Sequence, residues 1–228
     1  LKKNPVPMVS IDPAFLQQNT YNNIIESMQK VPGLSAISSG PNVSKPVIRG
    51  LGYNRVLTMF DGVRQEGQQW GDEHGVEVDQ FLIDRIEVVK GPASLVYGSD
   101  ALAGAVNLLP ANPLPDGVSK GSFLSSFQTN NRQYAGSLNF SGSNDGFIYS
   151  TRISKKAASD YANKFDGRVY GTKYDESDVN LFLGIHRSWG YSHVNFTYYD
   201  NTQEIPDGSR DSSTRTVSYT HLRAHETR

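Results

Sequence analysis

The pattern of apolar and polar positions changes about halfway along the chain. Up to about residue 112, short apolar runs alternate with breaks rich in glycine, proline and asparagine. Such a mixture predicts short strands and helical turns in one small domain. From about residue 120 onward, apolar and polar residues alternate with a period of two, which predicts extended strands with one apolar face. We therefore expect a mixed domain of helices and strands followed by an antiparallel sheet.

Capping and breaking residues delimit the elements of the first half. Asn22 or Asn23 is suited to cap a helix that ends at the pair Pro32-Gly33. Pro92 fits the first turn of a second short helix, and Gly98 fits its left-handed exit. Strands are predicted between these breaks, at residues 46–49, 55–60 and 83–90.

The second half follows a proline-rich linker at residues 110–117. It has room for about five long strands, separated by tight turns at Asn131, Asp145-Gly146 and Gly190. One face of each strand is apolar and aromatic, and the other carries serine, asparagine, glutamine and arginine. This alternation fits a membrane barrel with a wet lumen, and it fits a soluble sheet packed on a core equally well.

Composition narrows the function classes. Charged residues make up 20% of the chain and the net charge is -1, so no bulk field favours nucleic acid as a partner. The chain has no cysteine, which excludes disulfides and thiolate metal sites. No apolar run approaches the roughly 18 residues of a spanning helix. A mean hydropathy of -0.48 remains compatible with barrel strands, whose alternation keeps hydropathy low.

Five motifs in the first half occur in an order that resembles the plug domain of TonB-dependent outer-membrane receptors. They are VPGLS at 31–35, PVIRG at 46–50, MFDGVR at 59–64, DRIEVVKGP at 84–92 and LVYGSDALAGAVN at 95–107. The resemblance implies an α+β plug domain followed by antiparallel transmembrane β-barrel strands. The plug is expected at residues 1–112 and the first barrel strands at 113–220. Residues 221–228 break the alternation and are expected to be a non-native tail.

The same resemblance implies that the barrel is truncated. The family barrel has 22 strands, and strands of about 9 to 11 residues leave room for only about five here. An open set of strands has an unpaired edge that cannot face lipid, so this chain alone is not expected to insert or transport. The segment LKKNPVPMVS at residues 1–10 contains neither a recognisable TonB box nor a leader pattern. We therefore interpret the chain as a fragment.

The family resemblance also implies a function. It predicts a receptor in the outer membrane of a Gram-negative bacterium that imports a scarce nutrient, most often an iron-siderophore or another metal complex. The implied partners are this nutrient complex, the inner-membrane TonB energy-coupling complex and outer-membrane lipid. Neither a cofactor nor nucleic acid is expected to bind. The main alternative is a soluble binding module with an α/β domain joined to a β-sandwich.

A hydrolase built on the first half is a second alternative. It lacks support in the sequence, since no GxSxG motif and no nucleophile–base–acid arrangement is recognisable. We expect no catalytic residues.

Two groups of residues are candidates for functional roles. In the family, basic residues of two plug motifs lock the plug to glutamates of the barrel wall, which implies this role for Arg49 and Lys90. The alternative for both is a solvated charge at a strand end. Family plug loops also face the outside and contact substrate, which implies this role for six residues in the loop 66–79. They are Gln68, Gln69, Trp70, Asp72, Glu73 and His74.

The alternative for the loop is an ordinary polar surface turn. Its histidine and carboxylates could bind a divalent metal, but adjacent residues rarely point at one ion, so no metal site is predicted.

Overall fold

The computed structural model describes residues 8–69, 71–165, 167–210 and 217–227, with side chains through residue 206. The chain divides into two compact units, Leu1–Ala111 and Asn112–Arg228. Among the described residues, no helix is both long enough and apolar enough to cross a membrane.

The described part of the first unit mixes two short helices with seven strands. The elements are β1 (Met8–Ile11), α1 (Pro13–Gln18), α2 (Ile24–Ser27), β2 (Leu34–Gly40), β3 (Val43–Ile48), β4 (Val56–Phe60), β5 (Val63–Gln65), β6 (Ile83–Lys90) and β7 (Gly104–Pro110). Five strands form a sheet in the order β1-β6-β7-β4-β5, and β2 and β3 form a separate hairpin. β4 and β7 pair in parallel, whereas β6 and β7 are antiparallel. The sheet is therefore mixed in strand direction. The combination of short helices and strands in one domain agrees with the sequence pattern.

Helix α2 follows the predicted signals. Asn23 caps it, because its side-chain oxygen accepts a hydrogen bond from the Glu26 amide at 3.1 Å. The helix buries Ile24 and Ile25 in the core and continues as a 3-10 turn, Met28–Lys30. Fully burying one such aliphatic side chain stabilises the fold by about 1.5–3 kcal/mol. Apolar periodicity and an asparagine cap are thus enough to define this element.

Three predicted elements of the first unit differ in detail from the structure. The strand expected at 46–49 is β3, which begins at Val43 and ends before Arg49. The short helix Pro92–Tyr97 is a 3-10 helix. Gly98 has φ 109° and ψ 178°, so the predicted left-handed exit is wrong. The glycine is still required there, since this backbone region is nearly closed to residues with a Cβ.

A close backbone approach joins the hairpin to the central sheet. A Cβ on Gly104 would lie 2.6 Å from Ile48 Cδ1 and 2.6 Å from the Val89 carbonyl oxygen. Only glycine allows β7 to lie this close to its neighbours. Ile48 packs in the same buried cluster as Val56, Ile86 and Val106, so hairpin and sheet share one core.

The second unit is dominated by a six-stranded antiparallel meander. Its strands are β8 (Ser119–Gln128), β9 (Gln133–Asn144), β10 (Phe147–Ala158), β13 (Tyr174–Arg187), β14 (Gly190–Arg210) and β15 (Val217–Thr227). They pair in chain order, and a small hairpin of β11 (Ala162–Asn163) and β12 (Gly167–Arg168) lies in the connection between β10 and β13. The sheet has six strands, so the prediction of about five was one too few.

Tight turns connect the long strands. Asp145 and Gly146 both have positive φ, 47° and 67°, and join Asn144 directly to Phe147. Such a two-residue turn matches the twist of the flanking strands. Gly190 begins β14 immediately after the next two-residue turn. The predicted turn is confirmed at Asp145-Gly146, whereas Gly190 flanks its turn as the first residue of β14.

Residues 221–227 lie in β15 and pair with β14. Their expected origin as a non-native tail stays a prediction.

The two faces of the meander have inverted polarity relative to a soluble sheet. Leu138 is 60% exposed, whereas its neighbour Ser137 is 2% exposed. Ile153 is 57% exposed beside Ser154, which is 3% exposed. Apolar side chains thus cover the exposed face, and polar side chains are buried on the other. A soluble sheet with one buried face shows the opposite arrangement.

Candidate functional site

The loop 66–79 connects β5 to a 3-10 turn, Gln80–Leu82, and is attached to β3 at its centre. The Val76 amide donates to the Ser44 carbonyl at 3.3 Å. A Cβ on Gly75 would lie 3.0 Å from the Ser44 nitrogen and 3.2 Å from its oxygen. Glycine at this position therefore lets the loop backbone pack directly on the strand.

Gln68 is buried inside the domain. Its Oε1 accepts a hydrogen bond from Thr58 Oγ1 at 2.9 Å, and its Nε2 donates to the Val56 carbonyl at 2.9 Å. Both ends of the amide are therefore satisfied by β4. Since a buried polar group that loses its partner is costly, this glutamine ties the loop to the sheet. Its geometry supports a structural role.

Gln69 is half-buried beside an exposed arginine. Arg64 Nη2 donates to Gln69 Oε1 at 3.3 Å, and Arg64 also pairs with Glu66 and Asp100. Within the described residues, Gln69 Nε2 has no hydrogen-bond partner. This amide nitrogen is itself buried, so among the described residues it is an unsatisfied donor inside the loop and not a group exposed to solvent.

The acidic turn of the loop exposes two carboxylates. Tyr53 donates a hydrogen bond from its hydroxyl to Asp72 Oδ1 at 3.2 Å. The bond and then the negative charge of Asp72 raise the pKa of the Tyr53 phenol. Glu73 folds back, so that its carboxylate occupies the space a Cβ on Gly71 would need. His74 Nδ1 lies 3.4 Å from Glu77 Oε1, and the imidazole is one-third exposed.

Asp72, Glu73 and His74 thus share one surface. Trp70, predicted with them, lies outside the described residues.

A buried lysine that was not among the predicted functional residues lies beneath this turn. Lys45 on β3 is 1% exposed and donates from Nζ to the Gly71 carbonyl oxygen. The same Nζ is 4.8 Å from the centroid of the Tyr53 ring. Burial lowers the pKa of Lys45, and the charges of Asp72 and Glu73 oppose part of that shift. The sequence signal that could have identified it is a single charged residue within the segment Val43–Ile48, which reads VSKPVI.

Arg49 and Lys90 meet at another corner of the first unit. The Arg49 backbone has φ 51°, and its amide donates to the Gly33 carbonyl at 3.0 Å. Lys90 Nζ donates to the Pro32 carbonyl at 2.8 Å. Burial and then the positive charge of Arg49 lower the pKa of Lys90. Within the described residues of the first unit, neither side chain forms an ion pair with a carboxylate. Two like charges at one corner favour an acidic group as a partner.

Comparison with known proteins identifies the first unit. Residues 1–105 match the family model of the TonB-dependent Receptor Plug Domain. The chain carries a TonB-dependent receptor plug domain. The resemblance inferred from the ordered motifs is confirmed.

Two curated relatives match over the plug domain. A hemin receptor of Yersinia pestis is 39% identical over 103 residues, which cover 45% of this chain and 15% of that protein. An iron-regulated outer membrane virulence protein of Vibrio cholerae is 32% identical over 116 residues, covering 48% of this chain and 18% of that protein. The matched region thus amounts to less than a fifth of the length of either relative.

A solved receptor structure extends the likeness beyond the plug domain. A double mutant of the hemophore receptor HasR of Serratia marcescens, in complex with hemophore HasA and heme, superposes with a TM-score of 0.75. The match covers 90% of this chain and 32% of HasR at 19% identity, which shows a shared fold. The predicted fold class, a plug domain followed by antiparallel receptor-barrel strands, is confirmed.

A buried ion pair lies on the polar face of the barrel strands and was not predicted. Lys156 Nζ is 2.7 Å from Glu176 Oε1, and both side chains are almost fully buried. The Tyr199 hydroxyl donates to the other carboxylate oxygen at 3.1 Å. These residues face one another across β10, β13 and β14. Their positions on the polar side of each alternating strand were the available sequence signal.

Proposed function

We propose that the protein is a TonB-dependent receptor of a Gram-negative outer membrane that imports a scarce nutrient complex. The observation that carries the proposal is a plug domain followed directly by strands whose exposed face is apolar. Lipid is the solvent in which such a face is stable, and the polar face then lines a wet lumen. A soluble β-sandwich would bury its apolar residues, so the alternative of a soluble binding module is not favoured.

The proposed substrate is an iron complex, such as haem or a ferric siderophore. Matching relatives are named a hemin receptor and an iron-regulated outer membrane protein, and a solved structure of similar fold holds heme with its hemophore. These names are those of receptors, in agreement with a protein without enzymatic function. The nutrient is bound and released unchanged, so the protein's task is recognition and gating.

The proposed substrate contacts lie on the loop 66–79. They comprise Gln69, Asp72, Glu73 and His74, which are exposed or half-exposed, together with Trp70, which lies outside the described residues. The half-exposed side chain of Gln69 and the exposed Asp72 carboxylate support this role. Gln68 is left out of the proposed contacts, because its amide is fully used within the domain.

The proposed gate is the corner formed by Arg49 and Lys90. Their adjacent positive charges suit an acidic group on the barrel wall, in keeping with the predicted lock. Release of this contact by force from the inner-membrane TonB complex would let the plug move and the nutrient pass. The arginine is the better lock residue, since its guanidinium can bind a carboxylate with two parallel hydrogen bonds.

Growth under iron limitation tests the function. The full-length receptor, in which this chain continues into a complete barrel, is made in a Gram-negative host that lacks its own iron-complex receptors. Haem or ferric desferrioxamine B serves as the sole iron source, and cyanocobalamin is tested in a vitamin-requiring host. We expect growth on at least one of these compounds, and no growth in a matched host without the TonB complex. Recovery of the receptor in the soluble fraction, with no growth on any compound, would contradict the proposal.

A further inference from the structure

The ammonium group of Lys45 is buried directly beneath the acidic turn of the plug loop. Its Nζ donates to the Gly71 carbonyl and lies 4.8 Å from the Tyr53 ring centroid. Tyr53 in turn donates to Asp72 at 3.2 Å. Lysine, aromatic ring and turn therefore form one continuous set of contacts, which we term the Lys45 clamp.

The surroundings of Lys45 explain why a charge is tolerated in a buried strand. An ammonium removed from water is costly unless nearby groups replace its hydration. Here a carbonyl oxygen, an aromatic face and two nearby carboxylates, Asp72 and Glu73, supply that replacement. Three of these groups belong to the turn itself. The fourth, the Tyr53 ring, is attached to the turn by the hydrogen bond from Tyr53 to Asp72. The turn therefore stabilises the buried ammonium, and the ammonium in turn helps to hold the turn.

Backbone hydrogen bonds also hold this turn. The His74 amide donates to the Gly71 carbonyl at 3.4 Å, and the Val76 amide donates to Ser44 at 3.3 Å. Both bonds are long for backbone pairs. The Gly71 carbonyl thus receives a weak bond from its own turn and a charge-assisted bond from Lys45, and charge-assisted bonds are about twice as strong.

We propose that Lys45 is a positioning residue that fixes the turn 71–74 so that Asp72, Glu73 and His74 are preorganised for substrate. The inference rests on the proposed function of the loop. Lys45 does not contact the substrate itself, because its side chain is almost fully buried. Its charge acts through the Gly71 carbonyl and through Tyr53. Substrate then binds without ordering the turn, which lowers the entropic cost of recognition.

The first experiment measures loop order in the full-length receptor. Lys45→Met removes the ammonium and keeps most of the side-chain volume, whereas Lys45→Arg keeps a buried cationic donor. Lys30→Met removes an exposed lysine of the same domain and serves as the matched control. Hydrogen exchange of a peptide spanning residues 71–76 should become about tenfold faster in Lys45→Met. It should stay near wild type in Lys30→Met, and Lys45→Arg should restore part of the protection.

Exchange in β6 separates loosening of the turn from loss of the fold. Peptides within Ile83–Lys90 should exchange at the wild-type rate in Lys45→Met. If that variant fails to reach the membrane, Lys45→Gln, which retains a neutral donor for the Gly71 carbonyl, takes its place with a smaller expected increase. Unchanged exchange at 71–76 in a folded variant overturns the clamp.

The second experiment measures recognition with haem, ferric desferrioxamine B and cyanocobalamin as probes. For the probe that the wild-type receptor binds, affinity should fall at least about fivefold in Lys45→Met and recover in Lys45→Arg, at equal abundance in the membrane. Faster loop exchange with unchanged affinity overturns the positioning role. If the wild type binds none of the three probes, the proposed function fails for them. The exchange data alone then decide whether Lys45 fixes the turn.

Discussion

At the scale of single residues, burial distinguishes the adjacent glutamines Gln68 and Gln69, which the sequence alone does not distinguish. Gln68 has both ends of its amide bonded within β4, whereas Gln69 keeps a nitrogen without a described partner. The sequence predicts a polar loop but not which side chain turns inward. That choice depends on Thr58 and Val56, which lie 10 and 12 residues away along the chain.

This difference predicts opposite phenotypes for two alanine variants. Gln68→Ala should destabilise the plug domain by about 1–3 kcal/mol, because it leaves buried polar groups of β4 unsatisfied. Gln69→Ala should leave stability within about 0.5 kcal/mol of wild type, as expected for a change outside the core. Urea titration of the full-length receptor, followed by a plug-specific fluorescent label, measures both. Equal midpoints for the two variants would show that the Gln68 contacts contribute nothing.

A second prediction concerns the ionisation of Tyr53. Its phenol donates to Asp72, and the bond and the carboxylate charge raise its pKa above the usual value of 10.0. Both causes favour the protonated phenol, so Asp72→Asn should lower the pKa of Tyr53 towards that value. Tyrosine labelled at Cζ gives the titration by NMR, with Tyr53→Phe to assign the signal. Glu73→Gln serves as control and should change the Tyr53 titration less. An identical curve in Asp72→Asn contradicts the observed contact.

At the scale of elements, sequence signals were sufficient where neighbouring residues determine the structure. Asn23 caps α2, and Asp145-Gly146 forms a tight turn, because each depends on residues within one turn of the chain. Lys45 was missed because β3 begins at Val43, three residues before the predicted strand. Its partners, Tyr53 and Gly71, come from other parts of the chain and are brought together only by folding.

The packing of the loop on β3 gives a prediction at this scale. Gly75→Ala would bring a Cβ to 3.0 Å from the Ser44 nitrogen, and a backbone atom cannot move aside as a flexible side chain can. We expect the loop to separate from β3 at a cost of about 1–3 kcal/mol. Faster hydrogen exchange of the Val76 amide would report this change. Gly121→Ala in β8 is the control, since its nearest contact would be 4.0 Å away. Equal effects of both substitutions would contradict a packing origin.

At the scale of the whole molecule, the ordered motifs predicted the family more specifically than the alternation of apolar and polar residues did. The five plug motifs correctly predicted the family, whereas a period-two pattern left a soluble sheet and a membrane barrel open. The structure distinguishes the two through exposure, because Leu138 and Ile153 lie on the open face beside buried serines. The alternation of apolar and polar residues cannot show which face of the sheet is buried, since a soluble sheet and a membrane barrel have the same period of two.

The corner formed by Arg49 and Lys90 gives a prediction about how the plug is retained in the full-length receptor. Arg49→Ala should make the plug more sensitive to protease at unchanged barrel stability. Arg49 is exposed in this chain, and an acidic group of the barrel wall would cover it in the full-length receptor; loss of one partner from a buried ion pair costs about 3–5 kcal/mol. Arg55→Ala, which removes another exposed arginine of the plug domain, is the control and should have little effect. Lys90→Ala should have a smaller effect than Arg49→Ala. If Arg49→Ala and Arg55→Ala are digested at the same rate, Arg49 is a solvated charge and not a lock.

The apolar exposed face predicts a result that separates a membrane barrel from a soluble sheet. Leu138 lies near the middle of β9 and is 60% exposed, and Val63 of the plug domain is exposed to the same degree. In lipid, Leu138→Arg should destabilise the barrel by about 2–4 kcal/mol, because arginine near the bilayer centre is poorly solvated. In water the same change on an exposed strand costs no more than about 0.5 kcal/mol. Val63→Arg should therefore be neutral.

The amount of folded receptor in outer-membrane fractions measures both variants, and heat-dependent gel mobility reports barrel folding. We expect a loss of folded receptor for Leu138→Arg alone. If Leu138→Arg accumulates as well as Val63→Arg, the exposed face of β9 does not contact lipid, and the membrane assignment of these strands is wrong. A loss confined to Leu138→Arg leaves a hydrocarbon environment as the explanation, since equal exposure to water would make the two arginines equally harmless.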